Sequence, residues 1–303
     1  MESIINKFVL FYKNTSIKNK LLLLFYIQIV IPLFFIGITS YQKSAEIIEQ
    51  KSINYSLDIL KMIELRFKDL STSMQGLTLE LLYDNRVYDA LSSKGYEDNI
   101  TIYNRTNEIR SILRQATLSR NEIQSICLVT KNRRFYSFDS DNGKIRIEFI
   151  LPYDSIVEAA RKGRGKPVWF LEKQEGQVSE IYVTRMVYDR DSYNEIGLIA
   201  INIKKEYLES VYTDLSRESL NNISILSENN EEIIKQQENS GILKNFYRQQ
   251  LQERRGFYKD NKQGMLVSYV LLEDPSWKIV YHIPLKELYR EMDTLKRWVL
   301  LII

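Results

Sequence analysis

The first pattern along the chain is an uninterrupted apolar stretch close to its N-terminus. Residues 21–41 read LLLLFYIQIVIPLFFIGITSY, with no charged side chain and with Gln28 as the one strongly polar interruption. About 20 such residues cross the hydrocarbon core of a bilayer as a helix. Four lysines and one glutamate precede the stretch, and an excess of positive charge is typical of a cytoplasmic flank. We therefore expect a cytoplasmic segment at 1–20, a membrane span at 21–41 and an extracellular chain beyond it.

Two other interpretations of this stretch are a cleaved signal peptide and a buried helix. A signal peptide has an apolar region of about 7–15 residues and a cleavage site of small residues. The stretch here is longer and continues into helical sequence after Tyr41, so a permanent anchor is favoured. A second apolar run, WVLLII at 298–303, follows Lys296 and Arg297. We expect 297–303 to be the truncated start of a second span; the alternative is the apolar end of a C-terminal helix.

A long helical pattern extends from 45 to 91, with no proline and a single glycine, Gly76. Apolar residues recur there in two rows with a seven-residue repeat, which is a heptad pattern. The first row is Ile53, Leu60, Phe67, Met74, Leu81 and Tyr88, and the second is Ile63, Leu70 and Leu77. The stripe either packs against the protein's own sheets or forms the seam of a homodimer, and the sequence leaves both open.

Beyond a predicted helix at 102–118, the apolar period changes to two, which is typical of strands. A first group of strands is predicted at 125–131, 134–138, 144–150, 168–172, 178–188 and 196–204, with helices at 154–161, ending at Gly163, and at 206–215. A second group is predicted at 223–227, 231–235, 256–259, 265–272 and 277–283, with a helix at 242–253. Antiparallel sheets with helices at their margins predict an α+β fold.

The order of span, long helix, two sheets and exit helix resembles the double Cache sensor, in which two PAS-like sheets are carried on one long helix. More specific are SIKNKL at 16–21, IP at 31–32, SY at 40–41 and IIE at 47–49, which resemble the start of YesM-type sensor histidine kinases of Gram-positive bacteria. GLIAIN at 197–202 and WKIVYHIP at 277–284 are similar to the strands that close the two subdomains. The resemblance covers nearly the whole chain.

The resemblance implies a sensor at 42–295, with a long helix at 45–91, a distal subdomain at 100–215, a proximal subdomain at 216–284 and an exit helix at 285–296. It also implies a multi-pass protein of the cell membrane whose HAMP linker, phosphoacceptor helix and ATP-binding domain follow the second span. The expected partners are a second copy of the chain and an AraC-type response regulator. A membrane-bound AraC-type transcription regulator, a chemoreceptor and a diguanylate cyclase are the alternatives.

Composition and charge exclude several classes of site. The chain is 44% apolar and 27% charged with a net charge of +3, which fits a folded protein and gives no reason to expect a nucleic-acid partner. The single cysteine, Cys127, cannot form an intramolecular disulfide, and one Cys with one His, His282, makes a zinc site implausible. The segment 139–143 lacks the spacing of a calcium loop, and KGRGK at 162–166 lacks that of a phosphate loop. We expect no catalytic site, metal or cofactor.

The candidate ligand-binding residues lie on strands of the first sheet, and aromatic walls with a few polar groups suit a sugar or a peptide-like ligand. They are Trp169, Tyr182, Arg185 and Tyr188. Tyr182 and Tyr188 share one face of a strand and Arg185 takes the other, so all four line one pocket only if a bulge intervenes. Ordinary sheet packing is the alternative for each, and a ligand-loaded binding protein is the alternative ligand. Pro167 stands where amino-acid-binding Cache domains carry an arginine, which argues against an amino acid.

Overall fold

The computed structural model describes residues 16–93, 98–141, 152–213, 223–233 and 253–290. The helices are α1 (Ile17–Tyr83), α2 (Asn85–Ser92), α3 (Asn99–Leu118), α4 (Tyr153–Lys162), α5 (Lys205–Thr213) and α6 (Leu285–Leu288). The strands are β1 (Ile123–Thr130), β2 (Phe135–Asp139), β3 (Val168–Gln174), β4 (Gln177–Tyr188), β5 (Glu195–Ile203), β6 (Ile223–Leu226), β7 (Arg255–Asp260), β8 (Met265–Leu271) and β9 (Lys278–Pro284).

These strands form two sheets, and the predicted α+β class is confirmed. The distal sheet has the order β2-β1-β5-β4-β3 with antiparallel neighbours, and the proximal sheet has the order β6-β9-β8-β7. The strand predicted at 231–235 is reduced, in its described part, to one bridge between Leu226 and Glu232. The predicted strand at 144–150 and second span at 297–303 lie outside the described residues, as does the predicted helix at 242–253 except for its last residue.

The apolar stretch 21–41 and most of the predicted long helix belong to one helix, α1. The prediction of an unbroken helix from 45 to 91 is wrong at Asp84. This residue has extended backbone angles, φ −69° and ψ 115°, and its side chain accepts a hydrogen bond from the Arg86 amide at 2.9 Å. An aspartate in this position caps a new helix, so α2 begins after it. Both heptad rows on α1 are buried within the chain, each residue at 4% exposure or less. The stripe therefore packs inside the protomer.

The chain divides into two compact units. The first consists of 1–56, 259–266 and 283–303. Its part of α1 is long and apolar enough to cross a membrane, with a mean hydropathy of 2.6 and no buried residue in its most apolar window. Within 21–41, the large apolar side chains at 54% exposure or more are Leu21, Leu22, Leu24, Phe25, Tyr26, Ile29, Ile31, Phe35 and Ile36. A surface this apolar indicates contact with something other than water.

The described part of this first unit also contains a polar clasp made of Glu49 on α1, Lys259 on β7 and Tyr289 after α6. The Lys259 ammonium and the Tyr289 hydroxyl both donate to Glu49 Oε2, at 2.7 and 2.6 Å. Lys259 also donates to the Tyr289 hydroxyl at 3.0 Å. The hydrogen bond from Lys259, and then that from Tyr289, hold the pKa of the Glu49 carboxyl below its usual value.

The second unit comprises Leu57–Tyr258 and Val267–His282 and contains the whole distal sheet. Helix α4 packs on β3 and β4 over one face of this sheet. The core beneath it consists of Val129, Ile156, Val157, Ala160, Tyr182, Met186, Leu198 and Ala200. The opposite face meets α1, where Arg185 Nη1 donates to Thr78 Oγ1 at 3.2 Å. Gly163 caps α4, as predicted, and a Cβ there would lie 2.4 Å from the Lys166 carbonyl oxygen.

Candidate functional site

The four predicted site residues do not form one pocket. Tyr182 is 3% exposed in the core beneath α4, and Tyr188 packs against the same core. Arg185 lies on the opposite face with Thr78. Trp169 is the cross-strand partner of Val183, so it shares the face of Arg185 rather than that of Tyr182. The alternation of β4 therefore separates the four side chains into two sets.

Around Tyr182, three further polar side chains come together on the face covered by α4. Glu172 on β3 is the cross-strand partner of Glu180 on β4, and Tyr182 is the partner of Asn202 on β5. Asn202 Nδ2 donates to Glu180 Oε2 at 2.8 Å. We call the four residues Glu172, Glu180, Tyr182 and Asn202 the acidic cluster.

The acidic cluster contains several hydrogen-bond acceptors, and none of its four members is a cation that could pair with them. Asn202 is 2% exposed, and its Oδ1 has no hydrogen-bond partner. Burial, and then the neighbouring Glu180, raise the pKa of the Glu172 carboxyl. Burial, followed by Glu180 and Glu172, also raises the pKa of Tyr182. Two carboxylates and an unpaired amide oxygen are groups that an ammonium, with its three N–H donors, can satisfy.

The sequence reasoning missed Glu172, Glu180 and Asn202 because it searched for aromatic walls. One signal was present. Asn202 interrupts an otherwise apolar strand, GLIAINI at 197–203, and a polar residue at a buried strand position needs a partner. Its partner, Glu180, lies on a different strand, so the pairing requires the register of β4 with β5.

Trp169 lines a separate cleft of ≈ 440 Å³ between β3 and loops of the proximal sheet. We call it the junction groove. It is lined by Pro167, Val168, Trp169, Phe170, Leu171, Lys173, Ser227, Glu228, Asn229, Glu231, Asp274, Pro275, Ser276 and Trp277. The Trp169 and Trp277 rings meet edge to face at 5.2 Å between centroids. Trp277 in turn meets Phe67 of α1 at 5.8 Å, so an aromatic chain joins the groove to the long helix.

The loop at 274–277, which forms one wall of the groove, is also bound to α1 by hydrogen bonds. Asp274 Oδ2 accepts from Ser71 Oγ at 2.7 Å and from Gln75 Nε2 at 2.8 Å. Bonds to a charged acceptor are among the stronger hydrogen bonds in proteins. These bonds tie the wall of the groove to the long helix.

Two reactive residue types have environments that suppress reactivity. Desolvation of the partly buried Cys127 thiol raises its pKa to about 12, so the thiolate is scarce at neutral pH. His282 is 2% exposed with no partner for either ring nitrogen, and burial lowers its pKa. Within the ranges that the structure describes, no group of His, Cys, Asp and Glu side chains is arranged to hold a metal ion.

Comparison with known proteins agrees with this fold. No protein-family model and no curated protein sequence match the chain. The sensory domain of the Campylobacter jejuni chemoreceptor Tlp3 superposes with a TM-score of 0.58 at 16% identity, covering 80% of this chain and 98% of that one. The ligand-binding domain of Mlp24, determined with asparagine, gives 0.55 at 15% identity and covers 84% and 99%. The extracellular domain of vpHK1S-Z8, assigned as a histidine kinase, gives 0.55 at 12% and covers 80% and 98%.

The chain has the fold of a sensory ligand-binding domain. Solved domains with this arrangement belong to a chemoreceptor and to a protein assigned as a histidine kinase, and at 12–16% identity the likeness is one of fold. Tlp3 has been determined with isoleucine bound, and Mlp24 with asparagine. Those ligands are facts about the neighbours.

The raised pKa of Glu172 leads to a prediction about stability. A carboxyl whose pKa is higher in the fold than in the unfolded chain binds its proton more tightly when folded. Its charge therefore costs stability at neutral pH, and the cost disappears below the pKa of the unfolded chain, about 4.3. We predict that Glu172→Gln raises the melting temperature by about 1–3 °C at pH 7, with a smaller gain at pH 4. Calorimetry at both pH values tests this, with Glu175→Gln in the adjacent exposed turn as the control; an equal gain in the control would contradict it.

Proposed function

We propose that the chain is the extracellular ligand-sensing and transmembrane signalling region of a sensor histidine kinase in a two-component system. In this proposal, residues 1–20 are cytoplasmic, 21–41 span the cell membrane and 42–295 form the double Cache sensor. The YesM-type kinases of Gram-positive bacteria are the proposed family, on the motifs at 16–21 and 47–49. The kinase core and its response regulator act on the cytoplasmic side.

The observation that supports this proposal best is the composition of α1. One helix carries both an apolar segment with no buried residue in its most apolar window and a stripe that is buried in the sensor fold. The same helix holds Asp274 and Trp277 at the wall of the junction groove. A displacement of that wall would be passed directly to a helix that leads into the membrane, and a ligand that favours one of two arrangements would shift their populations.

The acidic cluster is the proposed site for a small-molecule ligand, in place of the four-residue pocket considered from the sequence. Tyr182 remains in the proposal, whereas Trp169 and Arg185 lie on the other face of the sheet. The chemistry of Glu172, Glu180 and Asn202 favours a ligand with an ammonium group over a neutral sugar. Pro167 occupies the position where amino-acid-binding Cache domains carry an arginine. We therefore do not expect the ligand to require a carboxylate.

A chemoreceptor or a diguanylate cyclase is the second candidate for the full-length protein. The observation that favours it is the similarity to Tlp3, a chemoreceptor, and to a sensory box/GGDEF family protein from Vibrio parahaemolyticus, which gives a TM-score of 0.55 at 12% identity. The two candidates share the same sensor and differ in the output domain. The sequence that follows the second span separates them.

We also propose that the receptor is a homodimer, with the solvent-facing side of α1 as its seam. Met62, Leu65, Leu79 and Tyr83 are between 38% and 72% exposed. At about 100° per residue they fall within one 100° sector, opposite the buried stripe. A second apolar stripe on a helix that already buries one is typical of a helix with two packing partners.

The topology predicts the side from which introduced cysteines are labelled. Glu158→Cys on the exposed surface of α4 should react with a membrane-impermeant maleimide in intact cells, whereas Ser16→Cys should react only after permeabilisation. Native Cys127 should contribute little because its raised pKa leaves it as the thiol. Labelling of residue 158 only after permeabilisation would disprove the extracellular assignment.

The acidic cluster predicts the class of ligand. A panel of amines and their hydroxyl analogues is screened by thermal shift on the full chain in detergent. A binder at 100 times its Kd should stabilise the fold by about 2.7 kcal/mol, which is a shift of about 5–10 °C. Glu172→Gln should abolish the shift and Glu158→Gln, on the surface of α4, should leave it unchanged. Equal shifts from the hydroxyl analogues would contradict an ammonium site.

The homodimer predicts disulfide cross-linking along the exposed stripe. In a Cys127→Ser background, Met62→Cys and Leu65→Cys should form inter-subunit disulfides under mild oxidation, seen as doubled mass on non-reducing gels. Glu158→Cys, on a different helix, serves as the exposed control. Cross-linking at 158 that is as fast as at 62 and 65 would indicate random collision and reject the seam.

A further inference from the structure

On the side of the distal sheet, the junction groove is bordered by the edge of strand β3 rather than by a face of the sheet. Five consecutive residues, 167–171, line the groove. Successive side chains of a strand point to opposite faces of its sheet. Because these five residues include side chains from both faces, the strand meets the groove with its backbone edge. Among the described residues, β3 is the last strand of the distal sheet and pairs only with β4.

The outer backbone groups of β3 have no strand beside them in the part of the chain that the structure describes. Apart from the ladder with β4, no backbone hydrogen bond there involves residues 168–174. Exposed edges normally carry charges, prolines or bulges that prevent pairing with another chain. Here Pro167 and Lys173 stand at the two ends, but the residues between them begin Val-Trp-Phe-Leu and are only partly buried. An apolar edge that is left open calls for a partner.

We propose that β3 binds a short extended peptide with basic groups, which lies in the junction groove and adds a strand to the distal sheet. Addition of a strand is a common way to bind a peptide: main-chain hydrogen bonds supply affinity and pockets for alternate side chains supply specificity. At about 3.3 Å per residue, the edge from 167 to 171 extends over about 16 Å. It therefore accommodates four or five peptide residues.

The charges around the groove select the basic character of the peptide. Glu228, Glu231 and Asp274 line it, against one lysine, Lys173. Lys173 is already paired with Glu231, with Nζ to Oε2 at 2.7 Å. The remaining negative charge attracts a lysine or arginine side chain or a free amino group. The ring of Trp169, which lines the same groove, adds a favourable surface for a cation.

The position of this site gives the bound peptide a direct contact with residues that α1 holds. Asp274 is fixed by Ser71 and Gln75, and Trp277 by Phe67. The site is distinct from the acidic cluster, which lies on the face of the distal sheet beneath α4. Peptide binding is measured directly, so its failure would leave the proposed sensing function untouched, and the reverse also holds.

The test uses the full chain in nanodiscs and the probe acetyl-Thr-Lys-Val-Lys-Thr-amide. Saturable binding is followed by tryptophan fluorescence, and amide hydrogen exchange by mass spectrometry locates the contact. We expect slower exchange over 168–174. A peptide with glutamate in place of both lysines should bind at least tenfold more weakly. The probe N-methylated at every residue, which keeps no internal backbone N–H on either edge, should not bind.

Two variants with the same change of charge distinguish an effect at the groove from an effect elsewhere on the surface. Glu228→Lys should weaken probe binding about three- to tenfold, whereas Glu209→Lys, an equal change of charge at an exposed position of α5, should leave it unchanged. The proposal is overturned if exchange over 168–174 does not change at saturation, or if the N-methylated probe binds as well. Protection of β3 that depends on chain concentration without any peptide would assign the edge to a second copy and would also overturn it.

Discussion

Burial of one stripe of α1 is the constraint on which the described sensor fold depends. Phe67, Met74 and Leu77 are fully buried, and each would leave a cavity costing about 2–5 kcal/mol if truncated to alanine. The same helix face supports parts of both sheets, since Phe67 meets Trp277 from the proximal side while Thr78 meets Arg185 from the distal side. The same helix therefore contacts elements of both sheets, in addition to the direct contact of Trp169 with Trp277.

Hydrogen bonds between α1 and nearby loops make this packing geometrically specific. Apolar contacts tolerate small rotations, whereas hydrogen bonds between specific atoms do not. Asp274 accepts from two successive turns of α1, at Ser71 and Gln75, and Arg254 donates to Glu64 at 2.7 Å on the same helix. Such bonds fix both the height and the rotation of the helix against the loops that it supports.

Local pattern predicted much of this structure, and long-range pairing explains the remainder. Alternation placed β4 at 178–188, and the strand is Gln177–Tyr188; it also predicted that Tyr182 and Arg185 point apart. The heptad predicted the buried stripe but not the break at Asp84, because capping by one aspartate overrides a periodic pattern. The contact of Trp169 with Trp277 and the bond from Asn202 to Glu180 depend on register between strands. Nothing in the neighbouring sequence specifies such partners.

The clasp between Glu49, Lys259 and Tyr289 has a mechanical consequence. One oxygen of Glu49 accepts from both partners, so a displacement of α1 acts on both bonds at once. Sliding α1 by one helical turn, about 5.4 Å, relative to both β7 and the segment after α6 would break the two bonds to Glu49 and leave the bond between Lys259 and Tyr289 in place. Release of this part of α1 therefore costs two bonds to a charged acceptor in a single step.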